Sequence, residues 1–165
     1  MGRRTEAAST PAVAALVSAG VPHGIHPYDH DPSTALSYGL EAAQALGVDP
    51  AALFKTLCVH ADGVLAMAIV PVTGSLDLKA AAKALGAKRA TMAPPAEAER
   101  ATGYVVGGIS PLGGRKRLAA VIDDSALALD RIYVSGGRRG LDVSLAPHDL
   151  VRLTGATTAP LRKDP

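Results

Sequence analysis

Two rhythms of hydrophobic and polar positions run along this chain. Val13, Leu16 and Val17 recur at helical spacing behind Thr10-Pro11, a capping hydroxyl followed by proline at the first helical position, and Gly20 is a stop. The segment Ile25-His26-Pro27-Tyr28 reads as a short edge strand, where proline is tolerated. Ser33 or Thr34 is a plausible cap for a second helix through Leu46, ended by Gly47, and Pro50 starts a short helical turn. Leu53 to Val59 then reads as a buried strand, His60-Ala61-Asp62-Gly63 as a hairpin turn, and Val64–Val70, apolar on both faces, as a central strand.

Ser75 or Asp77 caps a third helix with Leu78, Ala81, Ala82 and Leu85 inward, Lys79 and Lys83 outward and Gly86 as stop. Pro94-Pro95 opens a fourth, ending near Gly103. Strands are expected at Tyr104–Val106, Leu118–Ile122, Arg131–Val134 and Leu141–Leu145, a last helix from Pro147 to Thr154, and a frayed tail after Gly155. The late strands lie as close together as hairpins, so strict βαβ repeats are excluded. The expected class is α+β, with a mixed, strongly curved sheet flanked by helices. One domain over residues 1–165 is expected, with 1–9 and 156–165 peripheral.

Composition narrows the function. With 17 Lys and Arg against 15 acids the net charge is only +2, so the chain does not coat a polyanion and no DNA partner is expected. Local basic clusters remain, at Arg115-Lys116-Arg117 and Arg138-Arg139 among others. Aromatics make up 3%, too few for a surface that stacks bases on rings. A single cysteine, Cys58, forbids an internal disulfide, and no apolar stretch reaches spanning length. A cytoplasmic protein without a membrane partner is expected.

The chemistry centres on Lys55, which sits where a strand wants a hydrophobe and shares a strand face with Leu53, Leu57 and Val59. Burying an ammonium is costly unless it meets a partner or a ligand. A snorkelling or salt-bridged lysine is the plain alternative. Two glycine-rich segments, Gly107-Gly108-Ile109-Ser110-Pro111-Leu112-Gly113 and Ser135-Gly136-Gly137-Arg138-Arg139-Gly140, offer backbone donors or are merely tight turns. Gly108 and Gly113 have P-loop spacing, but Gly114-Arg115 follows where Lys-Ser/Thr is required. His23, His26 and His30 beside Asp29 and Asp31 have no metal-site signature, so neither metal nor cofactor is expected. Cys58 alternates away from Lys55 and lacks a base, Ser110 and Ser135 read as hydrogen-bonding groups, and no G-x-S-x-G elbow or hydrolytic triad is present. If an ester is cut, the attacking group comes from the substrate or from water.

Several segments together carry a resemblance: His26-Pro27-Tyr28-Asp29-His30-Asp31, Phe54-Lys55-Thr56-Leu57, Gly74-Ser75-Leu76-Asp77-Leu78-Lys79, Lys83-Ala84-Leu85-Gly86-Ala87-Lys88, Thr102 through Gly113 and Ile132 through Asp142. In this order, from about Thr10 to Thr154, they resemble the YbaK/EbsC family of aminoacyl-tRNA deacylases. The resemblance implies a barrel-like mixed sheet and a pocket for the acyl end of a mischarged tRNA. It implies that Lys55 is essential, and that Tyr28, Thr56, Gly107, Ser135 and Asp142 surround the pocket. Gly108, Ile109, Ser110 and Gly136 join them as candidates through the glycine segments. Thr56, where the alanine-clearing branch usually has asparagine, points to the cysteine-clearing branch acting on Cys-tRNA(Pro) or Cys-tRNA(Cys). The implied chemistry is attack by the cysteinyl thiol on its own ester. Prolyl-tRNA synthetase is the partner implied beside the aminoacyl-tRNA. The competing readings are an Ala-tRNA(Pro) deacylase and a non-catalytic module that binds tRNA or a synthetase.

Overall fold

The computed structural model describes residues 10–163. The expected peripheral role of residues 1–9, and of 164–165, lies outside them. The fold is built on a hairpin of β2 (Phe54–Ala61) and β3 (Val64–Pro71), in register from Phe54 opposite Pro71 to Ala61 opposite Val64. Asp62 and Gly63 close it with φ of 50° and 82°, the positive angles that a two-residue hairpin turn matched to strand twist demands. β5 (Ala90–Met92) adds antiparallel to the far end of β2, and β6 (Ala119–Asp123) adds parallel to β3. β9 (Thr157–Ala159) extends the sheet beyond β6, giving the order β5-β2-β3-β6-β9.

A second sheet has the order β1-β8-β7, with β1 (Gly24–Pro27) at its edge, β8 (Leu141–Leu145) in the middle and β7 (Ile132–Arg138) beyond. The two sheets touch through one parallel bridge, Leu53 to Tyr133. The result is a strongly curved, incompletely closed mixed sheet, which agrees with the expected class. Five α-helices flank it among the described residues: α1 (Pro11–Ala19), α2 (Tyr38–Leu46), α3 (Leu78–Ala84), α4 (Pro95–Thr102) and α5 (Pro147–Thr154).

The main core lies between the two sheets, α1 and α5, and includes Leu16, Phe54, Ile69, Ile122, Ile132, Leu141 and Leu150. Phe54, the chain's single phenylalanine, is 1% exposed, and truncating such a side chain costs about 3–5 kcal/mol. A second cluster, with Val59, Val70, Val121 and Leu161, packs under α3. Lys55 therefore sits on a strand held along its whole length by β3 and at its far end by β5.

Four expectations are corrected. Val17 is 63% exposed, because the buried face of α1 runs through Ala12, Val13 and Leu16. The second helix begins at Tyr38 with Ser37 as cap, since Ser33 donates through both its amide and its hydroxyl to Asp31 Oδ1 in a local turn. Tyr104–Val106 is not a strand: the Tyr104 hydroxyl donates to Leu112 O at 2.7 Å, and Val106 N donates to Glu99 Oε2 at 2.9 Å, so the segment is tied to its own turn and to α4. The tail is not frayed, nor is 156–163 peripheral. β9 joins the sheet, β10 (Arg162–Lys163) pairs with β4 (Ser75–Leu76), and buried Asp123 Oδ1 accepts from Leu161 N and Arg162 N at 2.8 and 3.1 Å.

Candidate functional site

A cavity of about 320 Å³ opens at the start of β2, beside the bridge between the two sheets. Its apolar wall comes from Leu53, Phe54, Leu57, Val72, Met92 and Ile109, and its polar residues include Tyr28, Lys55, Thr56 and Asp142. Lys55 reaches it from β2, half-buried, and its ammonium makes no ion pair or hydrogen bond among the described residues. The next residue brings Thr56 Oγ1, which is buried and without a partner.

Asp142 comes from β8, opposite Ser135 of β7 and His26 of β1. It is 5% exposed, and its Oδ2 has no partner either. Burial alone pushes its carboxyl up to about 7. Tyr28 is placed by its amide, which donates to Gly140 O at 2.9 Å. Its hydroxyl is pushed up by burial and then by the Asp142 charge, and both residues line the cavity. The loop that carries Tyr28 is held by buried Glu41 of α2, which accepts from His30 Nδ1 at 2.7 Å and from Asp31 N at 2.8 Å. Nothing in the sequence marked Glu41, a single acid inside a helical pattern.

Of the ten candidates, Lys55, Tyr28, Thr56, Gly107, Ile109 and Asp142 line this one cavity, and Gly108, Ser110, Ser135 and Gly136 do not. The glycine segments act chiefly by allowing close packing. A Cβ on Gly108 would lie 2.7 Å from the Arg138 backbone, and Gly108 N donates to Val105 O, so it is no free donor. Ser110 is buried behind the wall and accepts from Leu112 N at 3.2 Å. The second segment is a turn only at its end: β7 runs through it to Arg138 with a bulge between Ser135 and Arg138, and Arg139-Gly140 turns the chain into β8. Ser135 Oγ accepts from Gly137 N within that bulge, and Gly136 leaves room for the Leu141 side chain.

Sequence reading missed the mouth. Tyr38 and Gly39, at the start of α2, line the cavity. Arg139 lies 4.8 Å over the Tyr38 ring and donates through Nε to Val106 O at 2.9 Å, which clamps α2 to the first glycine segment. The three clustered histidines go to three partners, Val21 O, Ser144 Oγ and Glu41 Oε1, and among the described residues no group of three or more metal-ligating side chains is assembled. Cys58 also lines the cavity, but burial pushes its thiol up, away from the reactive thiolate. The arrangement offers a cation, two unpartnered oxygens and an apolar wall, with no activated nucleophile.

Residues 35–153 match the profile of the aminoacyl-tRNA editing domain. The chain belongs to this family, in its YbaK/EbsC group. Editing of this kind releases an amino acid from its tRNA ester, so the family's reaction class is aminoacyl-tRNA deacylation. Among its relatives, a candidate Cys-tRNA(Pro)/Cys-tRNA(Cys) deacylase, EbsC of Enterococcus faecalis, is 36% identical over 118 residues, covering 71% of this chain and 72% of that protein. A proline–tRNA ligase of Shouchella clausii is 41% identical over 100 residues, 61% of this chain but only 18% of the ligase. The crystal structure of a candidate trans-editing enzyme for prolyl-tRNA synthetase superposes with a TM-score of 0.79 at 28% identity, covering 93% of this chain and 95% of that one. No helix among the described residues is long and apolar enough to cross a membrane.

Proposed function

We propose that the protein removes cysteine from mischarged Cys-tRNA(Pro), and from Cys-tRNA(Cys), in the cytoplasm, using the substrate's own thiol. The observation that carries this reading is the shared cavity. Lys55, Thr56 and Asp142 all line it, the Lys55 ammonium, Thr56 Oγ1 and Asp142 Oδ2 have no partner among the described residues, and no activated nucleophile lies beside them. Buried polar atoms are almost always hydrogen-bonded, so unpartnered ones in a cavity point to a ligand that completes them.

In this reading the cysteinyl sulfur attacks the ester carbonyl. A C–S bond forms, the C–O bond to the terminal ribose breaks, and the thiol proton passes to the departing ribose oxygen. The products are a four-membered thiolactone and tRNA with a free terminal hydroxyl. The protein orients thiol and carbonyl and stabilises charge. Lys55 holds the developing oxyanion or the terminal ribose and phosphate oxygens. Asp142 receives the α-ammonium group, and Tyr28 closes the wall beside it. The named activity of the Enterococcus faecalis relative supports cysteine over alanine, and the likeness to segments of proline–tRNA ligases supports association with prolyl-tRNA synthetase.

The test is a deacylation panel with Cys-, Ala-, Ser- and Pro-tRNA(Pro). Cysteine release with thiolactone as first product is expected. Serine is near-isosteric with cysteine, but its hydroxyl is a far weaker nucleophile, so Ser-tRNA(Pro) should persist. Rapid serine release would mean that water attacks instead, and rapid alanine release would move the protein to the alanine-clearing branch.

A further inference from the structure

The outer edge of β2 has a gap. In the β2–β3 hairpin the two-residue turn makes Ala61 opposite Val64 a hydrogen-bonded pair, and such pairs alternate along an antiparallel ladder. Odd residues of β2 therefore bond to β3, and even residues turn N–H and C=O the other way. Two bonds confirm the parity: Val72 N donates to Leu53 O at 2.9 Å on the β3 side, and Ala93 N donates to Cys58 O at 3.0 Å on the β5 side. On that outer edge β5 pairs with Val59–Ala61, and β7 reaches β2 only through the Leu53–Tyr133 bridge. Between them, among the described residues, no strand faces Thr56. Its N–H and C=O point into the gap, and Phe54, Lys55, Thr56, Leu57 and Cys58 all line the cavity there.

We infer that the substrate's own amino acid fills this gap as a one-residue strand, pairing with the Thr56 peptide through its α-amino group and its ester carbonyl. The inference rests on the proposed deacylase reading and deepens it. An aminoacyl ester carries a donor nitrogen and an acceptor carbonyl on either side of one Cα, the same pair that a residue presents along a strand edge. The α-amino N–H donates to Thr56 O, and Thr56 N–H donates to the carbonyl oxygen, which is also where negative charge develops. This is strand addition reduced to a single residue. Residues opposite each other in a ladder project side chains on the same face. The cysteinyl thiol is thereby brought to the face of Thr56, beside the unpartnered Thr56 Oγ1. Thr56 is then a positioning and specificity residue through its peptide and its hydroxyl together.

The experiment uses the stable amide analogue 3′-(L-cysteinylamino)-3′-deoxyadenosine and amide hydrogen exchange of the intact protein by NMR. On saturation, the Thr56 amide should slow by about tenfold or more, while those of Lys55 and Leu57, already bonded to β3, should hardly change. A Thr56 amide that still exchanges freely in the saturated complex overturns the inference and leaves the deacylase reading standing. An analogue that does not bind at all overturns both. A second arm removes the α-amino group, as the 3-mercaptopropionyl analogue. Its affinity should fall about tenfold in the wild-type protein and still fall in Asp142→Asn. If the loss vanishes in Asp142→Asn, the amine belongs to the carboxylate alone and the pairing with Thr56 O is wrong. Thr56→Pro loses the hydroxyl, as Thr56→Val does, and the outward N–H besides, but no bond to β3, and should weaken the analogue far more than Thr56→Val. Equal effects of the two would assign the role to the hydroxyl and not the peptide.

Discussion

Two of the molecule's cavities are similar in size and opposite in character. One, of about 320 Å³, is largely apolar and holds Lys55, Thr56 and Asp142. The other, of about 370 Å³, is rimmed by Arg115, Lys116 and Arg117 and backed by Ser110, Thr102 and Thr154. By charge alone the basic cavity would suit an anionic substrate better. Yet its hydroxyls are all in use: Thr102 Oγ1 donates to Ala98 O at 2.8 Å, Thr154 Oγ1 to Leu150 O at 2.7 Å, and Ser110 Oγ accepts from Leu112 N. In the apolar cavity Thr56 Oγ1 and Asp142 Oδ2 are left over. Leaving a buried polar group unmade costs roughly 1–3 kcal/mol, so the fold bears that cost in one cavity and avoids it in the other. Ser125 Oγ is unpartnered as well but lines neither cavity, so it is the gathering of two unmet oxygens and the Lys55 ammonium in one cavity, more than volume or charge, that marks where a ligand belongs.

The largest test of this contrast is Lys55→Ala. If the ammonium stabilises charge on the ester or fixes the terminal nucleotide, cysteine release should fall by about 100-fold or more, as for loss of one oxyanion donor. The melting temperature should stay within a few degrees, because no ion pair is broken. Near-normal deacylation by a folded Lys55→Ala protein would remove the apolar cavity from the mechanism.

Asp142→Asn is expected to lower kcat/KM by about tenfold to 100-fold, through the weakened hold on the α-ammonium group. The same substitution has an opposite effect on stability. With its carboxyl raised to about 7 by burial, the folded protein keeps a proton that the unfolded chain releases near pH 4. Stability from this group is therefore full below the unfolded value and declines as pH rises through about 7, by up to about 4 kcal/mol. Denaturant titrations at pH 5 and pH 8 should show this decline in the wild-type protein and a smaller one in Asp142→Asn. A wild-type stability that instead rises over this range would mean that Asp142 is ionised at low pH and has a partner.

Much of this was legible in the chain. Helix stops at Gly20, Gly47 and Gly103, the Asp62-Gly63 turn and the central position of β3 follow from local chemistry, and all are present. Lys55 stood out because an ammonium on a strand breaks the apolar pattern. The rest depends on distant pairing. Glu41 holds the Tyr28 loop from a helix surface, Asp123 staples the tail, and the Arg139–Tyr38 clamp joins residues about a hundred positions apart. None leaves a periodic trace. The glycine segments misled for a physical reason. Glycine permits both an open cradle and close contact of backbones, and at Gly108 contact is what the fold uses.

The smallest expected effect comes from the basic cavity, and it sharpens the contrast most. Arg115, Lys116 and Arg117 are exposed, and the Arg115 and Lys116 amides are tied to Thr102 O and Ala101 O of α4 at 3.1 Å each. Their side chains can contribute only a screened attraction to RNA phosphates, since exposed charges lose most of their mutual effect beyond about 8 Å at physiological salt. The triple substitution to alanine should therefore raise KM for Cys-tRNA(Pro) by about threefold or less at about 0.15 M salt and leave kcat unchanged. The difference should grow at lower salt, and the triple substitution should leave unchanged the affinity for the short analogue 3′-(L-cysteinylamino)-3′-deoxyadenosine, which carries no phosphate backbone. A fall in kcat comparable to that of Lys55→Ala would invert the contrast: the basic cavity would then hold the reacting ester, and the unmatched oxygens of the apolar one would need another explanation.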